Sequence, residues 1–367
     1  MRIVINAEGI SDDFRQRELR QYYSECLIRT IRAEPASLFW VSPSQFFAGP
    51  EWIGIPKQNI ILKSRFPFNL SFPGTAGARM ESILRANQID IVLSLGLPSI
   101  PVRSVPHIIW LADEEFGSMK EKNQKLRKLS EKGNNWLLTD SVSAKNFLVE
   151  TFSWKDERIR VLPLAPSETS QAMSWTEKEQ VKIKYAGGKE YFMVRSSCTQ
   201  ENIMVLLKAF SAFKKRQLTN MKLLIAGTAG EPDHVPHEKL ESYKYRDDVH
   251  AYPGIAEKEI LKLQGAAYAL IQPAAWSSGL SVLNALQAEV PVISGRKEDE
   301  ISGDTILYAD PLGQESLGEA MSKLFTNEEL RNDLIRKGRI WAAQFSIQQA
   351  VGHLRESLSS VRVHMQH

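Results

Sequence analysis

The sequence predicts an α/β protein made of two doubly wound, parallel-sheet domains, and three observations carry that expectation. The chain has 367 residues, too many for one ordinary hydrophobic core. Short apolar runs alternate with segments of helical period through both halves, the rhythm of a parallel sheet covered on both faces. Between the halves, from Leu164 to about Lys189, Ser, Glu, Gln and Lys replace the apolar runs, as in an interdomain connection carrying a short helix.

In the first half, strands are expected at 3–6, 38–41, 60–62, 89–95, 107–111, 136–139 and 159–162, with helices at 17–32, 77–87, 118–132 and 142–152. The loop at 48–73, with several Pro and Phe residues, is the least regular part. The second half restarts with a strand at 191–194 and a helix whose Ile203, Leu206, Leu207, Phe210 and Phe213 share one face. Strands follow at 222–226, 249–252, 268–272, 291–294 and 305–308. Asn327 can cap a helix with Leu330, Leu334 and Trp341 on one face, and Ile347, Ala350, Val351, Leu354 and Leu358 mark a closing helix. The expected division is a first domain at 1–165, a linker at 166–189, a second domain at 190–345 and a terminal helix at 346–367.

Composition excludes more than it selects. Charged residues make up 24% and hydrophobic ones 43%, which argues against disorder. The 46 basic and 43 acidic residues leave a net charge of +3, too little to require nucleic acid as a partner. Cys26 and Cys198 lack the paired spacing of zinc or redox motifs, so a reducing cytoplasm is expected. The opening run, ended by Glu8, reads as a strand and not as a signal peptide. No stretch approaches the roughly eighteen apolar residues that span a bilayer.

Several segments carry an ordered set of motifs. They are Tyr191-Phe-Met-Val194, Asn202 with Leu206, Leu207, Ala209 and Phe210, and Leu223-Leu-Ile-Ala-Gly227. Val249 to Gly254, Ala267 to Pro273, Gly279 to Leu286, Val290 to Ser294 and Tyr308 to Leu312 follow. In the first half, Thr139 to Lys145 and Arg158 to Pro163 fit as well. In this order the segments resemble the family 4 glycosyltransferases, over most of the chain. The resemblance implies the GT-B architecture, two Rossmann-like domains facing across a cleft, and retaining, metal-independent transfer from a nucleotide sugar, UDP- or GDP-linked, to a sugar acceptor.

Trp276 to Leu286 carry the main functional signal. Ser277, Ser278 and Gly279 end a strand and open a helix near Leu280 or Ser281, whose free N–H groups and dipole suit a diphosphate. A helix cap at Ser278 and a turn at Gly279 account for the same residues locally. The resemblance implies donor binding by Arg195, Gly227, Ser277, Ser278, Gly279, Leu280, Ser281 and Asn284. It also exposes departures. The family's two glutamates of this segment are here Trp276 and Asn284, its diphosphate-binding lysine is Glu201, and its first-domain histidine is Ala112. An amide at 284 still donates and accepts hydrogen bonds to a ribose, whereas Trp276 stacks on a ligand or packs in the core. Glu201 reverses the charge beside two phosphates.

Asp113 is the one candidate for catalysis, and a solvated turn accounts for it equally. In place of the family's Gly-rich loop, residues 8–14 hold one glycine. Lys120, Lys122, Lys125, Arg127, Lys128 and Lys132 form a basic run, read either as a solvated helix face or as a peripheral contact with the inner face of the membrane. His234 and His237 lack the neighbours of a metal site, so no metal is expected. Two functions stay open: a transferase acting on a glycan, lipid-linked or polysaccharide acceptor, or a non-catalytic relative that serves a partner glycosyltransferase.

Overall fold

The computed structural model describes residues 1–7, 17–33, 38–42, 60–62, 76–111, 122–196, 198–228, 237–273, 279–295, 303–310 and 312–363. They form two compact units, Met1–Leu164 with Ile347–His367, and Ala165–Ser346.

In the first unit, the strands in chain order are β1 (Arg2–Asn6), β2 (Leu38–Ser42), β3 (Ile60–Leu62), β4 (Ile91–Leu95), β5 (His107–Trp110), β6 (Asn135–Thr139) and β7 (Ile159–Val161). The helices are α1 (Arg17–Ala33), α2 (Ala76–Ala86), α3 (Lys122–Ser130) and α4 (Val142–Phe152). Among the described residues the sheet is parallel, in the order β3-β2-β1-β4-β5-β6-β7. Every residue of β4, β5 and β6 is buried, which is why apolar residues dominate these strands, with Ser94, His107, Asn135 and Thr139 as their buried polar members. One core joins Val4 and Val92 to Met80 and Leu84 of α2, and another joins Ile109 and Leu137 to Leu126, Leu148 and Phe152.

Local chemistry sets the ends of these elements. Ser141 caps α4 by accepting the Ala144 N–H at 3.0 Å, and Ser153 ends it in the left-handed region at φ 56°. The strand expected from residue 89 begins instead at Ile91. Gln88 turns at φ 52° and the Ile89 N–H returns to the Leu84 carbonyl at 3.0 Å, so Ile89 closes α2.

The second unit opens on α5 (Trp175–Ala186), inside the stretch expected as a linker. Ser174 and Glu177 form a capping box at its start, and Gly187 ends it at φ 58°. There follow β8 (Tyr191–Arg195), α6 (Gln200–Gln217), β9 (Lys222–Ala226), α7 (His237–Glu241), β10 (Val249–Tyr252), α8 (Glu257–Gly265), β11 (Ala269–Gln272), α9 (Gly279–Gln287), β12 (Val292–Ser294), β13 (Leu307–Tyr308), α10 (Gln314–Thr326) and α11 (Glu328–Ala342). The chain closes with α12 (Ile347–Val363), which belongs to the first unit and packs on α1.

Among the described residues this second sheet is also parallel, in the order β10-β9-β8-β11-β12-β13. Ile203, Leu206, Leu207, Phe210 and Phe213 of α6 are buried in its core, as their spacing predicts. The helix α10 closes on α6 at Gly318, where a Cβ would meet the Ala209 carbonyl oxygen at 3.3 Å. The strand order reverses direction between β8 and β11. In an open parallel sheet the carboxyl ends of the strands at such a point form a ready-made crevice.

Candidate functional site

Residues that sequence reasoning selected converge on this reversal. Arg195 is the last residue of β8, Gly227 follows β9, and α9 begins just beyond β11. The register pairs Ala269 with Phe192 and Leu270 with Met193, which brings Arg195 and Gln272 to the same end of the sheet. Leu280, Ser281 and Asn284 lie on α9 and are almost wholly buried. Trp276, Ser277 and Ser278 lie outside the described residues, as do Ala112, Asp113, His234 and the 8–14 loop.

Arg195 is buried, and its guanidinium makes a two-pronged ion pair. Nη1 donates to one carboxylate oxygen of Glu257 and Nη2 to the other, each at 2.8 Å. Glu257 opens α8, a position where the helix dipole favours an anion. Glu257 escaped the sequence reading because 62 positions separate it from Arg195 and nothing periodic links them. The turn signal Pro253-Gly254 before an acid-rich helix start was the available clue.

Asn284 is 2% exposed, and its Oδ1 accepts the Ser167 N–H at 2.7 Å. Residue 284 thus holds down the first stretch of the second unit, a role that its amide fills with an acceptor oxygen. Behind it, Gln264 of α8 donates from Nε2 to the Ser281 carbonyl at 2.9 Å, locking α8 to α9. Gly227 is committed to the sheet end. Its N–H donates to the Tyr252 carbonyl at 3.1 Å, and its own carbonyl accepts the Ile255 N–H at 3.0 Å.

Glu201 stands exposed in the first turn of α6, which Thr199 caps by accepting the Asn202 N–H at 3.2 Å. An acid there suits the helix dipole, so a local reason exists for the residue apart from any ligand.

Other singled-out residues serve the structure. His107 is buried in β5 with Nε2 2.8 Å from the Ser94 hydroxyl, and burial, reinforced by the charge of Lys132, pushes its pKa down to about 3. Burial pushes the Cys26 thiol up to about 12, which keeps it protonated and inert. Cys198 is also buried. In the basic run, Leu126 and Leu129 face the core while Arg127 and Lys128 are exposed. No helix among the described residues is long and apolar enough to cross a membrane.

Residues 175–341 match the model of the family described as glycosyl transferases group 1. That span contains Arg195, Glu201, Gly227, Asn284 and both strands of the reversal. Among solved structures, a glycosyltransferase from Rickettsia africae ESF-5 is similar at 12% identity and a TM-score of 0.71, with 98% of each chain covered. Alr3699/HepE of Anabaena in complex with UDP gives 12% identity and a TM-score of 0.74, over 98% of this chain and 99% of that one. WaaG, a glycosyltransferase involved in lipopolysaccharide biosynthesis, gives 16% and 0.68, with 98% of this chain and 99% of that chain covered. No curated protein matches the chain in sequence. At these identities the likeness is one of fold, that of GT-B glycosyltransferases with two parallel-sheet, Rossmann-like domains.

Proposed function

We propose that this protein is a glycosyltransferase that moves a sugar from a UDP- or GDP-linked donor to an acceptor hydroxyl, with retention of configuration and without a metal. The observation that carries the reading is the gathering of Arg195 and the start of α9 at the strand-order reversal, inside the span matched by the group 1 model. A nucleotide diphosphate needs a fixed cation and directed N–H donors, and those two elements supply both.

In this reading the bond between the anomeric carbon and the diphosphate oxygen breaks, the diphosphate leaves with the electron pair, and the acceptor oxygen bonds to the anomeric carbon while its proton passes to the leaving diphosphate. Arg195 and the N–H groups from Ser277 to Ser281 stabilise the charge that develops on the leaving diphosphate. Gly227 keeps a side chain out of the donor's path, Asn284 braces α9 through Ser167, and Asp113 is the candidate acid or base. Alr3699/HepE has been crystallised with UDP and with UDP-glucose, so UDP-linked sugars are the first donors to try.

The test is release of nucleoside diphosphate from a panel of UDP- and GDP-linked hexoses, with and without glycan and lipid-linked acceptors. One donor should be consumed, and Arg195→Ala should slow that turnover by roughly a hundredfold, the scale on which loss of one transition-state donor is felt. Absence of turnover with every donor and acceptor contradicts the reading.

A further inference from the structure

The cation at the reversal is held by an anion that the chain itself supplies. The Glu257 carboxylate takes both terminal nitrogens of Arg195, and the two side chains are only 16% and 9% exposed. Two phosphate oxygens would use the same pair of donors in the same fork. The neighbouring acid of α8 behaves differently. Glu259 is engaged by Tyr185 at 2.9 Å, Lys184 at 3.3 Å and Lys262 at 2.7 Å, which leaves Glu257 as the α8 acid directed at Arg195.

We propose that Glu257 is a built-in occupant of Arg195, and that a nucleoside diphosphate engages the guanidinium by displacing this carboxylate. The inference rests on the nucleotide-sugar reading above and adds a latched and an unlatched state of the same site. Exchange is feasible on physical grounds. The guanidinium passes from one anion to another and is never left bare, which avoids the large penalty of a buried unpaired charge. The released carboxylate stays at the start of α8, where the helix dipole continues to favour it. A ligand must outcompete a fixed carboxylate, so the latch selects nucleoside diphosphates, which carry the larger negative charge, over monophosphates.

The opposite role, a buttress that holds Arg195 for the ligand, predicts the opposite sign on mutation. Calorimetric titration of the full chain with UDP, GDP, UMP and GMP separates the two. Glu257→Gln, its fold checked by circular dichroism, should bind a diphosphate roughly tenfold tighter than the parent, the fold-change for loss of one charge-assisted competitor. Its preference for diphosphate over monophosphate should narrow.

A second measurement uses the parent protein. Carbodiimide labelling read by mass spectrometry should show Glu257 protected alone and modified once a diphosphate is added. Unchanged or weaker binding by Glu257→Gln, or protection of Glu257 that persists with bound diphosphate, overturns the latch while leaving the nucleotide-sugar reading intact. Failure of both parent and variant to bind any nucleotide removes the reading and the latch together. Binding by the variant alone overturns the displacement step, because a diphosphate then fails to dislodge Glu257 from the parent.

Discussion

Single residues decide how this site handles charge. Arg195 and Glu257 form a pair that is mostly withdrawn from water, and breaking such a pair from one side is expensive because the other charge stays behind. Arg195→Ala should therefore cost about 3 kcal/mol of stability in urea denaturation, well beyond the cost of an exposed ion pair. A loss within experimental error would show that the pair is not formed in solution. Glu201 poses the reverse problem, an exposed acid where the resemblance to family 4 glycosyltransferases implies a lysine. Glu201→Lys should tighten diphosphate binding about fivefold, as expected for a charge change near a solvated anion, with a small loss of helix stability from the dipole. Equal affinity in calorimetry would place the ligand away from α6. Sequence reading reached Arg195 and Glu201 through neighbouring motifs. It missed Glu257 and Ser167, because their partners lie 62 and 117 positions away and only the folded sheet brings them together.

Secondary-structure elements were the most legible part. The helix expected at 142–152 is found as Val142–Phe152, since Ser141 supplies the cap and a left-handed Ser153 the stop. The buried face of α6 follows from apolar spacing alone. Its end was not legible. Leu218 closes α6 at φ 49° while 90% exposed, so it bears left-handed strain with little packing in return. Leu218→Gly should raise stability by about 0.5–1 kcal/mol, and a loss in thermal denaturation would contradict that account. His107 in β5 gives a pH signature. Its pKa falls from 6.5 to about 3 on folding, so the unfolded chain takes up the proton first as pH drops. Stability from neutral burial is full above about 6.5 and declines as pH falls towards 3. The decline should reach on the order of 4 kcal/mol and be shallower in His107→Gln, as urea titrations across that range would show.

At the scale of the whole molecule, two parallel sheets were readable because strands buried on both faces are mostly apolar. The assignment of segments to units was less so. The stretch expected as a linker carries a capped helix of the second unit, and the terminal helix returns to the first unit to pack on α1. Apolar periodicity reports that a helix has a buried face but not which core receives it. The central claim is that the second unit binds a nucleotide sugar at the β8 and β11 strand ends, with Arg195 on the diphosphate. Calorimetric titration of the full chain with UDP- and GDP-linked sugars tests it most directly. The account predicts saturable binding at one site for one of these donors, lost in a folded Arg195→Ala variant. Binding that survives Arg195→Ala unchanged, or no binding by any donor, would contradict it.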